Sequence, residues 1–288
     1  SIKAMNKELS VIQERKSKPE DLDPWDDLED EEAQLLFKKA TATLKWAVSN
    51  ARIQLAYSGG KDSSILLYGL LKALKENQAE GVRNFPVRVI SSETLIENPE
   101  ITNNLHLDHQ AITEWAKANE LDIECHIATP SLLSQYQVAQ VGGRKLHNMP
   151  TKGSECSTDW KVDPMVELRN QWKKEVKDQP IITVTGTRTE ESIHRGNSMR
   201  KREDSDEKIT VSDRNELIMS PIASMTTNHV FKLLDVHLVG THTRCHLCHG
   251  SSAAAMSLSA QPCWRKGVWA LSSHNNKCRQ DQRSHLVV

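Results

Sequence analysis

The chain has 288 residues, 37 Lys+Arg against 38 Asp+Glu, a formal net charge of -1 and a mean hydropathy of -0.55. That length accommodates one large α/β domain with appendages, or two small domains. Balanced charge gives no argument for a nucleic-acid partner, so any basic patch has to be local. No apolar run approaches the roughly 20 residues that span a bilayer. No apolar stretch marks a secretory leader near the N-terminus, which points to a cytoplasmic location. Six cysteines in such a chain argue for metal or sulfur chemistry rather than disulfides.

Residues 1–50 read as an acidic linker and helical extension. From Glu20 to Glu32 nine of thirteen residues are acidic, with Pro24 and Trp25 between them. This is either a solvated linker or, with Trp25 as anchor, a partner-docking segment. It leads into a helix expected from about Glu29 to Val48. Arg52 to Tyr57 then reads as a short buried strand. Ile65, Leu66, Leu70, Leu71 and Leu74 recur at helical spacing, so the glycines between mark a strand–turn–helix junction. The junction is Ser58-Gly59-Gly60-Lys61-Asp62-Ser63-Ser64. Backbone amides there are unpaired and lie at the positive end of the helix dipole, ready for an anion. Gly59 and Gly60 permit positive φ and close approach of a phosphate. Lys61 adds charge, and Ser58, Ser63 and Ser64 add hydroxyl donors. The simpler alternative is a glycine turn with Asp62 capping a helix. The order of residues differs from the Gly-x-x-x-x-Gly-Lys-Ser/Thr loop of nucleoside triphosphatases.

Downstream, Pro86 to Ile90 reads as a second strand, Thr102 to Asn119 as a helix and Asp122 to Ala128 as a third strand. Ile181 to Thr185 reads as another strand, ending in Gly186-Thr187-Arg188. Strands alternating with helices imply a Rossmann-like α/β fold, with a mostly parallel sheet covered on both faces. Ligands on such sheets bind at the carboxyl ends of the strands, where all these polar motifs fall. Residues 51–240 are read as the main domain and 241–288 as an irregular Cys-containing segment. Arg195 to Glu207, dense in both charges, reads as a mobile loop. Cys125, within a strand, reads as a buried inert thiol.

The Ser58–Ser64 run resembles the PP-loop of the ATP pyrophosphatases, which split ATP between the α and β phosphates. Further segments resemble the phosphoadenosine-phosphosulfate-reductase-like branch of that family. They are Ser91 to Pro99, Cys156-Ser157-Thr158-Asp159-Trp160-Lys161-Val162-Asp163-Pro164, and Gly186 to Arg195. Pro221-Ile222 with Asn228-His229-Val230-Phe231 is a looser match. The likeness runs from about Leu55 to Leu234, and the Ser91–Pro99 segment is most similar to the DNA phosphorothioation enzymes of the DndC and SspD type. It implies the adenine nucleotide α-hydrolase-like fold, with ATP and Mg²⁺ as cofactors. Arg188 and Arg195 carry guanidinium forks that suit phosphate oxygens, or they pair with Glu190 and Glu191. Lys161 suits the leaving pyrophosphate. Asp62, or Glu97 and Asp159, suit a phosphate-bridging Mg²⁺. Thr94 and Glu97 meet adenosine or the acceptor, or cap a loop.

Cys156, on a polar loop beside Lys161, is a persulfide carrier, a spectator or a cluster ligand. Cys245 and Cys248, with Cys263 and Cys278 downstream, have the pattern of a metal or iron–sulfur site. The similar DNA phosphorothioation proteins carry a [4Fe-4S] cluster on a C-terminal Cys…Gly-Cys-Trp-x-Cys arrangement. Here Val268 and Leu271 stand where its last two cysteines belong, and Ser272 to Val288 have no regular period. The resemblance implies an enzyme that adenylylates a DNA backbone phosphate. It then replaces an oxygen with sulfur from a cysteine desulfurase partner, alongside other DNA-modification subunits. Arg195, Arg200, Lys201 and Arg202 form either a phosphate-contacting strip or a charged surface loop. Alternatives are phosphoadenosine phosphosulfate reduction, sulfate adenylyl transfer, tRNA thiolation, or a non-catalytic nucleotide-binding scaffold for a desulfurase.

Overall fold

The computed structural model describes residues 2–16, 28–145, 158–177, 179–212 and 214–234. Two helices, α1 (Ile2–Lys16) and α2 (Leu28–Asn50), precede the sheet. There follow β1 (Arg52–Ala56), α3 (Lys61–Ala79), β2 (Val87–Ser92), α4 (Pro99–Ala118) and β3 (Ile123–Ala128). A π-helical turn, Thr158–Val162, leads into α5 (Asp163–Glu175) and β4 (Ile181–Val184). The described chain ends with α6 (Ile193–Arg202), β5 (Ile209–Val211), β6 (Leu217–Met219) and α7 (Thr227–Leu234).

The six strands form one sheet in the order β3-β2-β1-β4-β6-β5, parallel except for the β5–β6 edge pair. Ile53 lies beside Val87 and Ile182, and Leu55 beside Val89 and Val184. These residues face α2 and α3 in one apolar core with Leu44, Leu66 and Leu70. The alternate residues carry polar groups: Gln54 lies beside Arg88 and Thr183, and Arg88 beside Glu124. On this second face α5 lays the buried Trp172 against the sheet, with the Arg88 guanidinium 4.6 Å from the ring centroid. The order of strands reverses between β1 and β4, which is the switch point where such sheets open a ligand crevice.

Within the helical extension, α2 buries Leu36, Phe37, Leu44 and Val48 in the same core as β1. One expectation changes. Arg195–Glu207 is not a loop throughout. Its first half belongs to α6, capped by the Ser192 hydroxyl on the Arg195 amide at 3.2 Å and anchored by the buried Met199. One anchoring apolar residue and a cap outweigh the charge density of that stretch.

Candidate functional site

The Ser58–Ser64 turn leaves β1 and enters α3 at the switch point. Gly59 takes φ +68, the left-handed region that glycine occupies without a Cβ penalty. Gly60 is the N-cap residue and makes no side-chain cap, so Asp62 lies in the first turn of α3 and does not cap it. The turn is closed internally. Ser63 Oγ accepts from the Ser58 amide at 3.3 Å and donates to the Gly60 carbonyl at 3.0 Å, with Ser58 Oγ 3.2 Å away. The first amides of α3 have no intrahelical acceptor and sum to a partial positive charge at the mouth of the turn.

Asp62 is the electrostatic centre. Lys61 Nζ donates to its Oδ2 at 3.0 Å and Arg188 Nε to its Oδ1 at 2.8 Å. Arg188 is 1% exposed, and its Nη1 also donates to the Met225 carbonyl at 3.2 Å and to Thr227 Oγ1 at 3.3 Å. Glu190 lies 3.8 Å from Arg188 and accepts from the Thr227 amide at 3.0 Å. Of the two partners expected for Arg188, a carboxylate is the one seen: Asp62, with Glu190 at 3.8 Å. Arg188 locks the β4 end and the start of α7 onto the first turn of α3. Gly186 makes this docking possible, because a Cβ there would sit 3.2 Å from the Asp62 carbonyl carbon and the Ser63 amide nitrogen. Beside it, the hydroxyls of Thr185, Thr187 and Ser220 contact one another at 2.9 to 3.1 Å.

The second group of expected residues forms a separate rim. Ser92 Oγ donates to the Trp160 carbonyl at 2.8 Å and ties the Thr158–Val162 turn to the end of β2. Lys161 pairs with Glu97 at 3.1 Å, and Lys145 pairs with Asp159. Thr94 is 2% exposed and its Oγ1 has no hydrogen-bond partner. A buried hydroxyl left unused at a strand end is a feature that ligands satisfy. Arg195 is exposed and pairs with Glu191, so of its two expected roles the carboxylate pairing is the one seen. Arg202 pairs with Asp204 at 2.7 Å, and Arg200 donates back to the Gly196 carbonyl. Cys156, Cys245, Cys248, Cys263 and Cys278 lie outside the described residues, as does Trp25. Cys125 is partly buried and burial raises its thiol pKa, consistent with an inert role.

The carboxylates expected to hold Mg²⁺ do not fit a protein-held metal. Asp62, Glu97 and Asp159 are each engaged by a cation. Among the described residues no three His, Cys, Asp or Glu side chains converge on one point.

Sequence reasoning missed residues beneath the turn. Tyr57 donates its phenol proton to Asp108 Oδ2 at 2.9 Å. Burial, then the Asp108 carboxylate, hold its pKa well above the ordinary phenol value. His109, on the next position of α4, contacts Ser91 Oγ at 2.7 Å, and burial lowers its pKa to about 4. Only the adjacency of Tyr57 to Ser58 was visible in the sequence; α4 carries no motif.

A sheet switch point, a glycine turn at a helix head and a lysine beside it define a nucleotide-binding α/β domain of Rossmann-like architecture. The chain matches the phosphoadenosine phosphosulfate reductase domain model over residues 52–243, and it belongs to that family. Solved structures with a similar course include an FMN adenylyltransferase of Candida glabrata, determined with FAD and inorganic pyrophosphate. It shares 13% identity at a TM-score of 0.45, covering 81% of this chain and 71% of that one. Yeast FAD synthetase has 16% identity and a TM-score of 0.40 over 80% and 67% of the two chains. The ammonia-dependent NAD synthetase of Campylobacter jejuni has 16% identity and 0.40 over 71% and 72%. No curated protein sequence matches the chain. Among the described residues no helix is long and apolar enough to cross a membrane.

Proposed function

We propose that this protein is an ATP pyrophosphatase that activates a DNA backbone phosphate for replacement of an oxygen by sulfur. The observation that carries the first half is the intact Ser58–Ser64 turn, with Asp62 held by a buried arginine at the switch point. The α3 amides, Lys61 and the serine hydroxyls receive the β and γ phosphates, whose charge develops as pyrophosphate leaves. The unused hydroxyl of Thr94 meets the nucleoside, and Lys161 neutralises charge from the rim.

An acceptor oxygen attacks the α phosphorus and the α–β bridging bond breaks, with pyrophosphate as leaving group. The acceptor is now an adenylate. A persulfide, carried on Cys156 and loaded by a cysteine desulfurase, attacks the acceptor phosphorus and AMP leaves. A second thiol then cleaves the sulfur–sulfur bond, which gives the phosphorothioate and a disulfide. The DNA acceptor rests on the Ser91–Pro99 segment and its likeness to the phosphorothioation enzymes.

A second reading, reduction of phosphoadenosine phosphosulfate, is favoured by the family match. Reduction releases no pyrophosphate and has no need of a complete pyrophosphate cradle. Incubation of the purified protein with ATP labelled at the α or γ phosphate separates the readings. The expected products are AMP and pyrophosphate, lost on Lys61→Ala. Cleavage at the β–γ bond, or sulfite release from phosphoadenosine phosphosulfate without ATP cleavage, would refute the proposal.

A further inference from the structure

We propose that Asp108 is a positioning residue for the anion-binding turn and acts on it through Tyr57. This inference rests on the assignment of Ser58–Ser64 as the nucleotide cradle. Asp108 lies in the middle of α4, 44 positions beyond the end of the turn and outside every motif of the chain. Its Oδ2 accepts the Tyr57 phenol proton at 2.9 Å, and it lies 3.7 Å from where a Cβ on Gly59 would stand.

Tyr57 is 3% exposed and is the last residue before the turn. Its amide donates to the Ile90 carbonyl at 2.9 Å, so β2 fixes its backbone while α4 fixes its ring. The start of the Ser58–Ser64 segment is thereby referred to one carboxylate oxygen. The positive φ of Gly59 and the direction of the following amides depend on where that end is held. Without the Tyr57–Asp108 bond the turn gains alternative positions, and an anion must select the competent one, which weakens its apparent binding. Because Tyr57 stays protonated far above neutral pH, the bond persists throughout the working range.

Asp108 also brings negative charge near an anion site, so replacing it changes two things at once. A matched pair separates them. Asp108→Asn and Asp108→Leu both remove the charge and are similar in volume, but only the amide keeps an oxygen that accepts from Tyr57. Affinity for inorganic pyrophosphate and for α,β-methylene ATP is measured by calorimetry on the full chain. Asp108→Leu is expected to bind roughly tenfold more weakly than Asp108→Asn, the scale of one hydrogen bond to a buried acceptor. Tyr57→Phe, which keeps the charge, is expected to weaken binding by a similar factor. In the Tyr57→Phe background the difference between Asp108→Asn and Asp108→Leu should vanish, since the two residues act as one unit.

Equal affinities for the Asn and Leu variants overturn the inference, as does a difference that survives in the Tyr57→Phe background. So does a fall in melting temperature with no change in affinity, which would make Asp108 a fold-stabilising residue only. Wild-type protein that binds both probes but releases no pyrophosphate from ATP refutes the proposed reaction and leaves this inference standing. Wild-type protein that binds neither probe overturns both.

Discussion

Asp62→Ala tests the central ion pair. The substitution removes the only carboxylate within 3.5 Å of the Arg188 guanidinium among the described residues, while Arg188 stays 1% exposed. Removing one partner of a buried pair typically costs about 3–5 kcal/mol, because the remaining charge is left without compensation. The lower end applies here. Arg188 keeps the Met225 carbonyl and the Thr227 hydroxyl, and Glu190 lies 3.8 Å away with room to swing in. A loss of about 3 kcal/mol in a domain of this size lowers the melting temperature by roughly 6–12 °C. Differential scanning calorimetry with a urea titration at neutral pH reads both quantities. The substitution also releases Lys61 and Arg188 from their shared anion beside the turn. Binding of inorganic pyrophosphate should therefore hold or tighten in folded Asp62→Ala protein, while release of pyrophosphate from ATP is lost. A variant that melts with wild-type protein would show that the Asp62–Arg188 pair does not hold the β4–α3 junction. Weaker pyrophosphate binding by the folded variant would refute the electrostatic argument separately.

Three further outcomes are expected. Gly186→Ala forces a Cβ to within 3.2 Å of the α3 backbone and should cost about 1–3 kcal/mol by urea unfolding. Nucleotide affinity should fall with it, and an unchanged unfolding midpoint would refute the close docking of β4 on α3. His109 has a pKa lowered from 6.5 to about 4 by burial, then by His106 and His126, so the fold holds it neutral. Its contribution is complete above pH 6.5 and is lost as pH falls through about 4. It amounts to about 3 kcal/mol across that window, and His109→Gln should flatten that part of the stability profile. A variant whose profile runs parallel to wild type would exclude His109 as the source. The Lys161–Glu97 pair is half-exposed on both sides, so Lys161→Ala should change stability by less than about 1 kcal/mol. Pyrophosphate release should nonetheless fall, and an unaltered rate would remove Lys161 from the reaction.

Much of the fold was legible because parallel strands buried on both faces leave plain signals. Ile53 with Leu55, Val87 with Val89 and Ile181 with Ile182 all marked strands correctly, to within one or two residues at either end. The helix after the turn was equally clear from Ile65 to Leu74. What local pattern did not reveal was the fate of charge. Met199 and Ser192 make a helix of a stretch whose composition reads as loop, since a single buried contact and a cap are invisible in a charge count. The β5–β6 edge pair, three residues in each strand, was too short to show a period at all.

The same division runs through the site. The chain order alone determined the Ser58–Ser64 turn, because Gly59, Gly60, Lys61, Asp62 and the serines are contiguous and a helix begins there. Positive φ, free amides and local charge are all set within seven residues. Only the tertiary structure decided which carboxylate Arg188 meets. The sequence offered phosphate oxygens or a neighbouring carboxylate, and the packing of β4 on α3 gave it a carboxylate 126 positions away. Burial is the physical reason, since a guanidinium enclosed at the switch point requires a fixed counter-charge before any ligand arrives. Asp108 was hidden for the same reason, as a mid-helix carboxylate acquires a role only when α4 is laid against the turn.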